Sequence, residues 1–400
     1  MVQITLNDIF TPYTDAKQKG IFRQKEVLSH SYIPPQTLHR EKEFKTMANI
    51  LGPALRGHST SNCFLYGKTG TGKTMTAKQV SQELGKLNSR IKVLYVNCKM
   101  KGVTDTEYRL LAELSKGLGR QVPPTGLPTD EVYNIFFSAL DSSGMHVMLV
   151  LDEIDSLVAK IGDGILYNLT RLNQSLQKSK LTIIGISNNI SFMENMDPRV
   201  KSSLSEEEII FPPYNSSQLA DILYQRARLA FNEGSVQQGA VEKCAALAAQ
   251  EHGDARKALD LLRIASELAE RESSSVVRID HVDMAESKLD SDKVIEITKS
   301  LPKQSLAVLA AAIQLADKGR KDIQTGDIFD AYEKICISIG LKVLTQRRFS
   351  DLIAELDMLG IISTKVVSKG RHGRTREIRI PLQDGMLLKV KSVLKECCII

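Results

Sequence analysis

Eight consecutive residues restrict this chain more than any other stretch: Gly67-Lys68-Thr69-Gly70-Thr71-Gly72-Lys73-Thr74, which fits G-x-x-x-x-G-K-[ST]. Such a match carries meaning only where a strand feeds the loop and a helix leaves it. Both flanks are present, with apolar Phe64-Leu65-Tyr66 before it and Ala77, Val80 and Leu84 at helical spacing after it. Glycines let backbone amides close around phosphate oxygens, and the N-terminus of the following helix adds favourable potential. In this arrangement Lys73 reaches the β and γ phosphates of a nucleotide and Thr74 offers a hydroxyl to Mg²⁺. The loop from Gly67 to Met75 is therefore the first candidate binding element, and it commits the chain to an α/β core.

Short apolar runs recur around it. Cys63 to Tyr66, Val93 to Val96, Val147 to Leu151, Thr182 to Ile186 and Ile209 to Phe211 alternate with helical segments, the pattern of buried parallel strands covered by helices. The third run ends in Asp152-Glu153, which places two carboxylates at the carboxyl end of a strand, where ligands bind in such sheets. Asp152 suits Mg²⁺, and Glu153 suits a general base that polarises an attacking water. Asp155 reads as a helix-starting residue. The fourth run ends in Ser187-Asn188-Asn189; an amide here can orient water against a γ-phosphate, although Asn is also common where strands turn.

Before the core, Tyr32-Ile33-Pro34-Pro35 forces an extended stretch, because each proline disfavours the helical region for its predecessor; residues 1–40 read as an arm. After Pro212-Pro213 the pattern becomes helix after helix, Gln218 to Asn232, Ala240 to Glu251 and Ala255 to Glu272, an α-helical lid. Arg256 falls in the first turn of the last of these, the end of a helix that disfavours a cation by ~0.3–1 kcal/mol, and a γ-phosphate beside it reverses that cost. Solvation, or pairing with Asp254 or Glu251, remains open. Arg199, in Asp197-Pro198-Arg199, lies on the loop after the fourth strand, where an arginine can reach a neighbouring subunit's nucleotide; Lys201 competes for that role. Asp290 to Ser300, closed by Pro302, reads as a connector.

Thr345 is placed to cap a helix carrying Phe349, Leu352, Ile353, Leu356 and Leu359, with Gly360 just past its end. Arg347 and Arg348 open that helix, and the N-terminal residues of a recognition helix are the ones that meet DNA bases. Two alternating strands follow, Ile361 to Val367 and Arg376 to Ile380, around a loop with Lys369, Gly370, Arg371 and Arg374. From Leu359 to Pro381, Lys365, Lys369, Arg371, Arg374, Arg376 and Arg379 stand against Glu377 alone, a local +5 in a chain whose net charge is +6. A helix followed by a basic hairpin is the winged-helix pattern, and duplex DNA is the partner such charge fits. A protein-binding winged helix with a solvated hairpin is the alternative.

The six cysteines show no C-x-x-C spacing and are expected as free thiols. No apolar stretch approaches the roughly 20 residues that span a bilayer, so no membrane role is expected and the protein reads as soluble and cytoplasmic.

The order of these features resembles the archaeal replication initiators related to the eukaryotic origin recognition complex and its helicase-loading partner. Resemblance extends to Leu28-Ser29-His30-Ser31-Tyr32-Ile33-Pro34, to Gly126-Leu127-Pro128-Thr129-Asp130-Glu131-Val132-Tyr133, and to Arg199-Val200-Lys201-Ser202-Ser203-Leu204. It implies an AAA+ core over residues 41–213, a lid over 214–288 and a winged-helix domain over 289–400. It further implies that ATP/ADP and Mg²⁺ are the ligands and that the protein is a chromosome-associated ATPase. The expected partners are double-stranded origin DNA, the replicative MCM helicase, and a second copy or a paralogue on DNA. By the same resemblance Tyr32, Ile33, Pro34, Tyr214 and Arg226 are nucleotide contacts, Asn188 and Arg256 are sensors, and 99–140, with Arg120, is a helical insertion touching DNA. Asn189 stands where the family often has Asp, which puts any role for it in doubt. A clamp-loader-type ATPase and an ATP-switched transcription regulator are the rival readings.

Overall fold

A computed structural model describes residues 20–34, 36–100, 102–193, 196–204, 206–318, 323–368, 374–382 and 384–399. The chain divides into two compact units, 1–282 and 283–400.

The first unit is built on five parallel strands, β1 Asn62–Tyr66, β2 Ile91–Asn97, β3 His146–Asp152, β4 Lys180–Ser187 and β5 Glu206–Ile210, in the spatial order β2-β3-β4-β1-β5. Successive side chains of a strand point to opposite faces. In β3, Val147, Leu149 and Leu151 enter one core with Phe136, Leu140, Leu166 and Phe64, while Met148 and Val150 enter the other with Met47, Leu51, Ala77 and Val80. Burial on both faces is why the run is apolar throughout rather than alternating. Helices α1 Glu41–Leu51 and α2 Lys73–Leu87 supply the second face. The first face is covered by α3 Glu107–Gly117, α4 Thr129–Ser143, α5 Ile154–Ile161 and α6 Gly164–Ser175.

A short helix, α7 Pro198–Leu204, precedes β5 and carries Arg199 and Lys201, so Arg199 sits at a helix start and not on a loop. Asp155 is the second residue of α5, behind Glu153 at the N-cap. The lid consists of α8 Ser216–Ala230, α9 Gln238–Gln250 and α10 Ala255–Arg271. The described part of the arm is less solvent-bound than its polarity implies: Ile21, Val27 and Leu28 are buried, Phe22 stacks on Phe231 of the lid at 5.3 Å, and the amides of Arg23 and Gln24 donate to Ala230 O. Isolated apolar residues with no period gave no signal of this.

The expected connector is instead the second half of one 22-residue helix, α11 Ile279–Ser300. In the second unit α12 Lys303–Asp317, α13 Thr325–Ser338 and α14 Gln346–Met358 bury Leu309, Ile328, Tyr332, Phe349, Ile353 and Leu356 together. They pack with an antiparallel sheet ordered β6-β8-β7, from β6 Ile323–Gln324, β7 Ser363–Ser368 and β8 Arg374–Arg379, and α15 Asp384–Glu396 follows. Thr345 is the N-cap of α14, but its side chain accepts no capping hydrogen bond; Gly360 takes the left-handed conformation (φ 72°) expected of it. All six cysteines are free thiols, and Cys63, Cys98, Cys244 and Cys336 are buried. Among the described residues no helix is long and apolar enough to cross a membrane.

Candidate nucleotide site and basic hairpin

Strand order brings the site together. β4 lies between β1 and β3, so the loop after β1, the carboxylates ending β3 and the asparagine after β4 emerge side by side. Lys73 Nζ donates to Gly67 O (2.8 Å), Lys68 O (2.7 Å) and Asn188 Oδ1 (2.9 Å). Burial pulls its ammonium down from 10.5 to about 8, with the Asp152 charge opposing and the Arg256 charge reinforcing that shift. Thr74 Oγ1 donates to Asp152 Oδ2 at 3.0 Å. Glu153 takes a left-handed backbone (φ 56°, ψ 50°) as the N-cap of α5, and its carboxylate faces Lys99 Nζ at 3.7 Å. A non-glycine residue held there costs about 1–3 kcal/mol and persists only where its surroundings over-determine it.

A cavity of about 310 Å³ is lined by Gly70 to Met75, Asp152, Glu153, Asn188 and Arg256, together with His30, Lys78, Tyr95 and Asn97. Lys68 and Thr69 line an adjoining hollow with His252 and Asp254. Arg256 is exposed, which fits solvation, and its two candidate acidic partners are engaged elsewhere. Asp254 is spent on capping α10, accepting from the amides of Arg256 (2.7 Å) and Lys257, and Glu251 pairs with Lys257. Arg256 lines the cavity.

Lid and loop touch directly. The amide of Ala255 donates to Gly70 O at 3.2 Å, Thr69 Oγ1 donates to Asp254 Oδ2 at 3.2 Å, and Lys68 Nζ lies 3.2 Å from His252 Nδ1. A Cβ at Gly70 would lie 1.7 Å from Asp254 Oδ1 at φ +67°, so only glycine fits.

Other predicted contacts do not line the cavity. The Tyr214 hydroxyl lies against Gly72, and its ring carries the guanidinium of Arg40 at 3.8 Å. Arg226, 5% exposed, stacks on Tyr32 (4.6 Å) and donates to Val27 O and Tyr32 O, which ties the arm to the lid. Ile33 is exposed, and Pro34 O accepts from Gln79 of α2 at 2.7 Å. Arg199 is 85% exposed and pairs with Asp197 at 3.3 Å, a surface pair worth little. Residues missed by sequence reasoning are Arg40, which donates to Thr71 O at 2.9 Å, and Tyr95, which donates to Asp152 Oδ2 at 2.6 Å. Burial first, and then that hydrogen bond, push the Tyr95 phenol above its usual range, so it remains a donor.

Thr74 and Asp152 offer hard oxygen donors on one side of the cavity, the set Mg²⁺ takes when substrate phosphates complete its shell. Among the described residues no three His, Cys, Asp or Glu assemble into a metal cage. The donors thus fit a metal that arrives with a nucleotide.

In the second unit Arg347 and Arg348 are exposed on the first turn of α14, and Arg348 is 3.9 Å from Asp351. β7 and β8 pair from Ser363–Arg379 to Ser368–Arg374, closing a hairpin. Arg376 is half-buried, with Nη1 3.5 Å from Ser350 O. Lys369, Gly370 and Arg371 lie outside the described residues, as does the side chain of Arg374. Arg120 is exposed after α3.

Five parallel strands, a phosphate loop contacted by a helical lid, and a winged-helix unit define an AAA+ protein with a C-terminal winged helix. Family models match in the same order: AAA domain over residues 56–190, Cdc6 AAA+ ATPase-type lid domain over 220–287, and CDC6 C-terminal winged helix domain over 296–390. The chain is 51% identical over 398 residues to the ORC1-type DNA replication protein of Thermococcus onnurineus, covering 98% of this chain and 94% of that one. It is 49% identical to ORC1-type DNA replication protein 1 of Archaeoglobus fulgidus, covering 92% and 90%. Its fold superposes on the Aeropyrum pernix ORC1 protein, solved in complex with DNA, with a TM-score of 0.78 at 43% identity, covering 95% and 98%. The chain belongs to the ORC1-type DNA replication proteins.

Proposed function

We propose that this protein is an ATP-dependent initiator of DNA replication that binds origin duplex DNA and helps recruit the replicative MCM helicase. The observation that carries the reading is the convergence of Lys73, Thr74, Asp152, Glu153, Asn188 and Arg256 on one cavity in a chain half identical to ORC1-type replication proteins along nearly its whole length. In this reading residues 1–40 are an arm, 41–213 the nucleotide core with 99–140 as a DNA-contacting insertion, 214–288 the lid and 289–400 the DNA-binding domain.

Loop amides and Lys73 hold the β and γ phosphates of ATP or ADP. Thr74 and Asp152 hold Mg²⁺, which when bound neutralises phosphate charge. Glu153 accepts the proton of the attacking water, Asn188 orients that water, and Arg256 answers the γ-phosphate from the lid. Tyr214, Arg226 and residues 32–34 bracket the base once nucleotide is present, and Arg199 or Lys201 serves a neighbouring copy. Turnover is slow, as suits a switch. Arg347, Arg348, the hairpin cations Lys369, Arg371, Arg374 and Arg376, the close-packing Gly370, and Arg120 grip the duplex. The protein acts in the cytoplasm on the chromosome, with a second copy or a paralogue.

Genome-wide mapping of bound DNA tests this. A few sites at replication starts are expected; occupancy spread over promoters would instead mark an ATP-switched transcription regulator.

A further inference from the structure

β2 runs beside β3 in register, with Tyr95 opposite Val150 and Asn97 opposite Asp152. Tyr95 is 38% exposed, yet it is held at both ends: Lys78 Nζ of α2 sits 4.2 Å from its ring centre, and its hydroxyl reaches Asp152 Oδ2 at 2.6 Å. Thr74 Oγ1 donates to the same oxygen at 3.0 Å. Two hydroxyls, from a strand and from the phosphate-loop helix, thus end on one oxygen of a carboxylate that is 5% exposed. The other oxygen is left for a metal ion or its water.

From this geometry we infer that Tyr95 is a positioning residue for Asp152, fixing the carboxylate so that Oδ1 faces the metal that accompanies a nucleotide; the inference rests on the nucleotide reading above. The terminal torsion of an aspartate is broad and roughly two-fold, so one hydrogen bond leaves the plane of the group free to swing. Thr74 supplies a second hydrogen bond to the same oxygen, so Tyr95 shares the clamp with it. The Tyr95 phenol also meets the side chain of Asn97 on the same strand. Its ring is anchored by Lys78, and the hydroxyl approaches from a strand that is hydrogen-bonded to the strand bearing Asp152.

Partners that orient a metal's ligands typically change metal affinity about 10- to 100-fold when removed. With Thr74 still in place, the low end applies. Tyr95→Phe removes one oxygen and keeps the ring and the Lys78 stack. Binding of a fluorescent ATP analogue is followed in parent and variant, in EDTA and through a Mg²⁺ titration. The Mg²⁺ concentration for half-maximal enhancement is expected to rise about tenfold in Tyr95→Phe, with affinity in EDTA unchanged and hydrolysis restored by excess Mg²⁺. An unchanged or lower Mg²⁺ midpoint, or an equal loss of affinity in EDTA, overturns the assignment. A parent protein that binds no analogue removes the nucleotide reading itself, an outcome distinct from a failure of Tyr95 alone.

Discussion

In the proposed reading Lys73 should make ATP binding a proton-uptake reaction above neutral pH. Its ammonium, 4% exposed, is held near 8 in the free protein, chiefly by burial. Phosphate oxyanions at the loop favour the charged form, so nucleotide raises this value and the lysine is protonated in the complex. Proton uptake per ATP then equals the neutral fraction in the free protein, about 0.1 at pH 7, 0.5 at pH 8 and 0.9 at pH 9. Affinity should fall about tenfold between pH 7 and pH 9, or about 1.4 kcal/mol. Stability runs the other way. Between about 8 and the unfolded value near 10.4 the unfolded chain binds more protons than the native one, so raising pH through that window relieves a burial cost of about 3 kcal/mol and steadies the fold. The thiol of Cys98, which feels the Asp152 charge, is pushed by burial to about 12 and does not titrate in the range. Calorimetry of Mg²⁺·ATP binding in buffers of different ionisation enthalpy measures the uptake. Uptake near zero at pH 9, with affinity unchanged from pH 7, would refute this account of the lysine.

Glu153→Gln should leave ATP binding intact and lower turnover by roughly 10²- to 10⁴-fold, read by single-turnover hydrolysis; an unchanged rate removes Glu153 from the mechanism. Arg256→Ala should weaken ATP by about ten- to a hundredfold while changing ADP far less, since a hydrogen bond to a charged group is worth about 1.5–3 kcal/mol; equal losses for both nucleotides would place Arg256 away from the γ-phosphate. Arg371→Ala combined with Arg374→Ala should weaken duplex binding and flatten the slope of log affinity against log salt by up to roughly 1.8. Equal slopes for parent and variant would count against the hairpin.

What could be read in advance was what lies contiguous in the chain. The phosphate loop, Asp152-Glu153 and the buried strands β1, β3 and β4 announce themselves because backbone closure and two-faced burial constrain neighbouring residues together. The expected buried strand Ile209 to Phe211 is instead the edge strand β5 Glu206–Ile210, where Glu207, Glu208 and Ile210 are exposed. Strand ends were less legible: β2 begins at Ile91 and β4 at Lys180, where Lys92 and Lys180 break the apolar run. β6, only two residues long, has no run to read. The charges of Asp290, Asp292 and Lys293 disguised half of α11 as a linker. Arg40 and Tyr95 were beyond reach for another reason, since each meets its partner across 31 and 57 residues respectively, and no local spacing encodes such a meeting. A polar Tyr95 and Asn97 at the carboxyl end of β2, beside the Asp-Glu strand, were the one available hint.

The start of α10 shows how a switch can be written into a single helical turn. Asp254 caps the helix and accepts from Thr69, while Ala255 donates to Gly70 O and Arg256 borders the cavity. In the proposed reading a triphosphate in the loop would bring negative charge toward both side chains. It would oppose the Asp254 carboxylate and attract the Arg256 guanidinium, which the helix dipole otherwise disfavours by ~0.3–1 kcal/mol. Two effects of opposite sign would thus act within one turn whose amides are already committed to the loop and the cap. The loop and the lid approach so closely here that a side chain at Gly70 would collide with Asp254. In the proposed reading, phosphate that reshapes the loop would bear on the lid helix through these contacts, and loss of the γ-phosphate would remove the attraction while leaving the cap in place.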